Sequence, residues 1–344
     1  MTQKCVAVPE PGRVEVVDIP IPEYGDYECL VRVTSGSICN GTDLKIINNR
    51  LPNRVITYPT ILGHENAGEI IEAGKKVRNY KVGDKVMNAA GRVGRDSAYG
   101  MAFGALSQYG VAHDVWAMTE DGVPLPFKIL PEDYFCRVVP QSMCLNDAVI
   151  MMTIKENYSA MKNFGVTPGM DALLYGDGPV GLGLAVCLRI MGARHVACVG
   201  HRDERLKRIK DIAKADIIIN EHNASVDEAL GDAKFDIAID AVGSTDVLMQ
   251  AAKKLKPGGK AGMYGVMKHS EAGVNLLDLP NNISVHMLNY PYREQRAHDE
   301  VVALVQAGKI NLRDYYSHVI PIDEAARAVK MIETREAYKV ILAM

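Results

Sequence analysis

The sequence predicts an α/β protein with a β-rich region and a doubly wound parallel sheet. Three observations carry that prediction. The chain has 344 residues, which at about 150 per domain suggests two domains. Its first 152 residues read as short β-branched runs broken by Gly, Pro and Asp, and strand–helix alternation begins at Thr153. Finally, Gly176-Asp177-Gly178-Pro179-Val180-Gly181 stands between a short apolar strand and an apolar helix.

Within the first region, residues 29–34 alternate in part and are rich in valine. Residues 66–72 lead into the Ala73-Gly74 turn, and 82–86 form a turn entering a strand. The Gly-rich, weakly patterned stretch 89–110 reads as a long loop. In the second region, 154–164 has helical spacing and closes at Gly165. Strands are expected at 172–175, 195–199, 217–219, 235–241 and 260–266. Helices are expected from the glycine motif to Gly192, over 205–214, and over 247–255, the last closed by Pro257-Gly258-Gly259. From Arg296 the tail reads as helix, strand and helix.

Composition narrows the function classes. Hydrophobic residues make up 48% and charged residues 24%, a globular balance that excludes a disordered chain, a collagen or a coiled coil. The net charge of −3 argues against a partner held by phosphate attraction, so no nucleic acid is expected. Seven scattered cysteines in a chain able to bury a large core read as reduced thiols. There is no signal-peptide pattern at the start and no apolar run of eighteen residues, so the expectation is a cytoplasmic protein with no membrane contact.

The glycine motif has a physical reading. Gly176 permits a tight turn, Gly178 lets the backbone approach a pyrophosphate, and Gly181 lets helix and strand pack closely. Pro179 and Val180 open a helix whose N–H groups receive the anion. The alternative is a Gly-rich turn of some other α/β fold. An NAD site offers Asp or Glu about 20 residues on, to bind the ribose hydroxyls. Here Gly200 stands in that place, followed by His201 and Arg202. A planar arginine fork suits a 2′-phosphate, so NADP is expected over NAD. One charge-assisted contact of about 1.5–3 kcal/mol corresponds to roughly a ten- to hundredfold preference. Gly200→Asp combined with Arg202→Ala is expected to reverse it.

A second constellation is Cys39, His64 and Glu65. His64-Glu65 interrupts an apolar run, where charged groups are uncommon unless paired or bound. Thiolate, imidazole and carboxylate are zinc ligand types, and three ligands with an open position mark catalytic zinc. Taken singly, the three read as a buried thiol, a core histidine and a surface acid.

Cys39-Asn40-Gly41-Thr42-Asp43, then GHENAG, VGDKV, GDGPVG, FDIAIDAVGS, KPGGK and the ending GKINLRDYYSHVIPIDEAARAV occur in this order. Together they resemble the medium-chain, zinc-dependent alcohol dehydrogenases across essentially the whole chain. Sorbitol, threonine and glucose dehydrogenases and the NADP-dependent secondary alcohol dehydrogenases are nearest in texture. The resemblance implies a GroES-like catalytic domain (1–152, completed by 295–344), a Rossmann domain (153–294) and an active site in the cleft between them. It implies zinc ligands at Cys39, His64 and Glu65, a proton-relaying hydroxyl at Thr42, and a ligand-orienting acid at Asp43. Lys45 stands where a histidine often extends the relay. Val242, Gly265 and Val266 join the cofactor set, and Arg293 aligns loosely with a polyol-site arginine. Its alternative is a surface loop arginine.

Three further departures carry consequences. Asn40 adds a residue after Cys39, which makes that thiolate the least secure ligand. Met152 falls where the family often places a carboxylate, so water is expected at the metal, or an adjustment by Glu156. The cysteine cluster of a structural zinc is absent, so one zinc per chain is expected. The implied reaction interconverts a secondary alcohol (a polyol, sugar or cyclitol) and its ketone in a homodimer or homotetramer. Two alternatives are a zinc-free enone or quinone reductase and a dinucleotide-binding protein without catalysis. The Cys and His-Glu pair argue against the first; Asn40 and Met152 lend the second some support.

Overall fold

A computed structural model describes residues 1–51, 55–267, 275–288 and 290–344. The chain divides into two compact units. One comprises Met1–Met152, His298–Gln306 and Asn311–Met344; the other comprises Thr153–Ala297 and Ala307–Ile310. The chain first returns to the first unit at His298, three residues past the expected 295, and returns again at Asn311.

The first unit is built on two sheets. A seven-stranded sheet runs in the order His318–Pro321, Val340–Ala343, Glu28–Ser37, Asn66–Ala73, Lys85–Met87 and Arg137–Val138, with Tyr109–His113 also paired to Glu28–Ser37. Glu28–Ser37 is the long central strand because its inward residues Cys29, Val31 and Val33 are apolar and buried in one core cluster. The sequence reading ends the tail on a helix, whereas Val340–Ala343 adds a strand. It pairs antiparallel with Glu28–Ser37, Ile341 opposite Ser37. Four residues give too short a period-2 pattern to register.

The smaller sheet runs Glu15–Pro20, Thr2–Val8, Thr60–Ile61 and Gly100–Met101. That last pair corrects the reading of 89–110 as a loop. Gly100–Met101 lies parallel to Thr60–Ile61, and Ser107 forms a bridge with Cys5. Its side chains Ala102 and Leu106 enter a core with Val6, Ile38, Ile46, Leu62, Val329 and Leu342. The excursion folds because it has a core to fill, which its composition does not announce.

The second unit is a six-stranded sheet whose neighbours are all parallel. The order is Ile217–Asn220, His195–Gly200, Asp171–Tyr175, Phe235–Asp240, Leu255–Met263 and Ser284–Met287. The order reverses between Asp171–Tyr175 and Phe235–Asp240, and ligands of such sheets bind beyond the carboxyl ends of the strands at that reversal. Two boundaries differ from the sequence reading. The Leu145–Phe164 helix starts well before 154, because residues 148–155 are buried all round and show no one-sided periodicity. Pro257-Gly258-Gly259 does not close a helix. The Thr245–Lys253 helix has ended, and these residues are accommodated by a register shift within Leu255–Met263, where Leu255 faces Phe235 and Lys260 faces Ile237.

Candidate active site

The first unit brings Cys39, His64 and Glu65 together. One potential ligand atom from each lies within 4.8 Å of the others. Two strands and one short helix place them. Cys39 follows the Glu28–Ser37 strand, His64-Glu65 precedes the Asn66–Ala73 strand, and these strands pair with Gly36 opposite Asn66. The Thr42–Ile47 helix begins just after Cys39. The inserted Asn40 does not displace the thiol from the group, since its Nδ2 donates to the Tyr338 carbonyl at 2.8 Å and its bulk is taken up there.

Asp43 ties the group together. Its Oδ2 accepts from the Cys39 N–H at 2.8 Å, and its Oδ1 lies 3.1 Å from His64 Nδ1. A carboxylate on Nδ1 fixes the tautomer and leaves Nε2 to face outward as a ligand. The Thr42 N–H donates to Cys39 Sγ at 3.4 Å. Glu65 is held from its other side: Oε2 accepts from Ser37 Oγ at 2.5 Å and lies 2.7 Å from Lys339 Nζ, with both ionic side chains buried. Its second oxygen, Oε1, is 3.9 Å from His64 Nε2.

The electrostatics follow from this packing. Burial raises the Cys39 thiol, but the His64 hydrogen bond and charge outweigh it and lower its pKa. Burial lowers His64, and Asp43 more than reverses that, so its pKa rises. Burial raises Glu65, while Lys339 and His64 bring it below its ordinary value. The lowered thiol and carboxyl favour the charged donors zinc takes, and the imidazole, raised by Asp43, gives up a proton when it joins them as a ligand.

The other expected residues of this region are distributed as follows. Thr42 and Lys45 are half-buried on the Thr42–Ile47 helix. Met152 is 7% exposed, and its sulfur accepts from Asn88 Nδ2 at 3.1 Å, so it is engaged in packing. Glu156 and Arg293 belong to the second unit, and Arg293 is exposed with φ +59°, in line with a loop arginine. Two neighbours of the group were not singled out from sequence. Lys339 lies in the unpredicted stretch before Val340–Ala343, and Phe103 sets its ring 5.4 Å from the His64 ring, tilted by 57°.

In the second unit the glycine loop has the geometry its motif requires. Gly176 sits at φ +127°, a region that side chains disfavour. A Cβ on Gly181 would lie 2.0 Å from the Gly176 carbonyl oxygen, whereas one on Gly178 would meet nothing within 4 Å. The loop is therefore closed on its inner side and open where a pyrophosphate would approach. Gly178 caps the Pro179–Ile190 helix, with Pro179 in its first turn and Val180 half-exposed beside it. Val242, Gly265 and Val266 lie just beyond the carboxyl ends of Phe235–Asp240 and Leu255–Met263. Gly200 ends its strand, His201 is exposed with Nε2 3.6 Å from Glu221, and Arg202 caps the Asp203–Ala213 helix. Arg202 Nε is buried with no hydrogen-bond partner among the described residues, as expected where an acceptor is still to come.

Two family models match the chain in succession. The alcohol dehydrogenase GroES-like domain covers residues 25–123, and the zinc-binding dehydrogenase domain covers 179–306. The chain belongs to the zinc-dependent medium-chain alcohol dehydrogenases. It is 27% identical to an alcohol dehydrogenase of Cupriavidus necator, over 94% of this chain and 93% of that one. It is 28% identical to the D-xylulose reductase A of Aspergillus niger, over 96% and 94%. Its fold is shared with 2R,3R-butanediol dehydrogenase from Bacillus subtilis, at a TM-score of 0.80, 19% identity and 99% coverage of both chains.

This medium-chain dehydrogenase departs from the sequence reading at Gly200. A Cβ there would lie 2.7 Å from the Asp177 Cβ. Asp177 therefore fills the space that a side-chain carboxylate at position 200 would need. The proposed exchange of Gly200 for Asp is sterically blocked, and close packing by itself accounts for the glycine.

Proposed function

We propose that this oxidoreductase uses one catalytic zinc and NADP(H) to interconvert a secondary alcohol of the polyol, sugar or cyclitol class with its ketone. The observation that carries the reading is the convergence of Cys39, His64 and Glu65, with Asp43 holding His64 and Lys339 holding Glu65. A zinc-free reductase has no use for that donor set. The names of two similar proteins, a xylulose reductase and a butanediol dehydrogenase, point to a ketose and a vicinal diol, in agreement with a polyol-type substrate.

Cys39, His64 and Glu65 would hold the metal, and the glycine loop 176–181 would hold the cofactor pyrophosphate. When bound, these groups supply Lewis acidity for the substrate oxygen and a hydride acceptor. The chain's own part is positional. Asp43 keeps the imidazole oriented. The Thr42 hydroxyl carries the substrate proton outward, and Lys45, one turn on along the same helix, extends that relay. Preference for NADP(H) rests on Arg202 and on the lack of a carboxylate at the end of the His195–Gly200 strand.

The test is elemental analysis with turnover on a polyol panel. About one zinc per chain is expected, and Cys39→Ser and His64→Ala each lose most activity while binding NADPH normally. Two zincs per chain, or near-normal turnover in either variant, refutes the assignment.

A further inference from the structure

Asp177 occupies the first variable position of the glycine motif and is 4% exposed. Its carboxylate is fully engaged by the turn that follows the next strand. Oδ2 accepts from the His201 N–H and the Arg202 N–H, each at 3.0 Å. Oδ1 lies 3.0 Å from Arg202 Nη2. Three donors thus converge on one anion. Two consecutive backbone N–H groups and an arginine fork form a concave arrangement that binds phosphate oxygens in other proteins. Here the chain supplies the anion itself.

We propose that Asp177 is the residue that sets cofactor selectivity, because it occupies as an internal carboxylate the donors that a ribose 2′-phosphate would otherwise use. This rests on the reading of the second unit as a nicotinamide dinucleotide domain that accepts the phosphorylated cofactor. It goes further by assigning selectivity to a residue of the glycine loop, where the strand-end position carries no side chain.

Two consequences follow from the charges. Arg202 is shared, so its attraction for a 2′-phosphate is less than that of an unpaired guanidinium, and the carboxylate beside it repels the same group. The Arg202 Nε–H is buried and has no partner among the described residues. Selectivity for the phosphorylated cofactor is therefore present but held down. Other charged groups at the turn do not replace Asp177. Glu221 faces His201, and Asp203 accepts from Asn220 Nδ2 at 2.7 Å.

The experiment is calorimetric binding of adenosine 2′,5′-bisphosphate and adenosine 5′-monophosphate, which differ only by the 2′-phosphate, to wild type and Asp177→Asn. The quantity read is the ratio of the two dissociation constants. In wild type the bisphosphate is expected to bind more tightly, by less than about tenfold. Asp177→Asn should raise that ratio by roughly three- to tenfold, because one opposing charge is removed while the turn keeps an acceptor. A purely structural role would weaken both ligands together and leave the ratio where it was. An unchanged or lower ratio overturns the proposal. Asp177→Ser, which also removes the charge and keeps an acceptor, carries the same test should the asparagine variant fold poorly. The two readings fail separately. A wild-type ratio at or below one removes the NADP preference, yet a rise in Asp177→Asn still supports the role of Asp177.

Discussion

Asp43 has one oxygen on the Cys39 backbone and the other on His64, so one buried carboxylate sets the geometry of two of the three candidate zinc ligands. Asp43→Asn keeps the shape and removes the charge that favours a Nδ1–H tautomer. Zinc affinity is expected to fall roughly ten- to a hundredfold, measured by competition with a chromogenic chelator. Retained affinity would mean that the imidazole is oriented by something else. At Gly200 the limiting term is volume. Gly200→Asp places a Cβ 2.7 Å from another Cβ, and the neighbour is the base of a side chain that cannot swing away. The cost of such overpacking is about 1–3 kcal/mol. Chemical denaturation should show it together with weaker binding of NAD and NADP alike.

The same logic at the level of elements picks out Asp114, which starts the Val115–Glu120 helix. Its Oδ2 accepts from the Arg78 and Asn79 N–H groups at 2.7 and 2.8 Å, and its Oδ1 from the Ala117 N–H at 3.0 Å and Asn79 Nδ2 at 2.8 Å. One fully buried side chain thus caps a helix and ties down the 78–79 loop. Asp114→Ala leaves those donors without an acceptor, at a cost of about 2–4 kcal/mol in unfolding free energy. Urea denaturation at neutral pH measures it; a loss under 1 kcal/mol would show that water replaces the carboxylate. The 89–110 excursion works in a comparable way. Its apolar residues anchor it in the core, and this anchoring brings Phe103 to His64.

Across the whole molecule, acid should be the most damaging condition. In the second unit, Asp171 is held by Arg194, with Lys256 and His195 adding to it, and its pKa lies well below the usual carboxylate range. In the first unit, burial raises Glu28, but Arg92 and His113 overcome it and depress that carboxyl too. A carboxyl depressed by folding contributes stability that is complete above its unfolded pKa of about 4 and is lost as pH falls through the lower, folded value. Unfolding free energy is therefore expected to be flat near neutrality and to decline steadily below about pH 5. Asp171→Asn should be less stable than wild type at pH 7 and lose less on going to pH 3. Parallel acid limbs for the two proteins would show that Asp171 does not contribute.

Much of this was legible in order along the chain. The strand–glycine–helix sequence around 176–181 carries its own local geometry, so the parallel sheet and the pyrophosphate loop could be read from spacing alone. Cys39, His64 and Glu65 were visible as ligand types, and the ordered motifs pointed to the family. What the sequence could not show was partnership across distance. Lys339 meets Glu65 because the Val340–Ala343 strand pairs with Glu28–Ser37. Asp177 meets Arg202 because the Asp171–Tyr175 and His195–Gly200 strands run side by side in parallel, which brings their following turns together. A carboxylate looks the same in sequence whether it faces solvent or a cation from another strand. Strand pairing decided which, and with it the charges of both candidate sites.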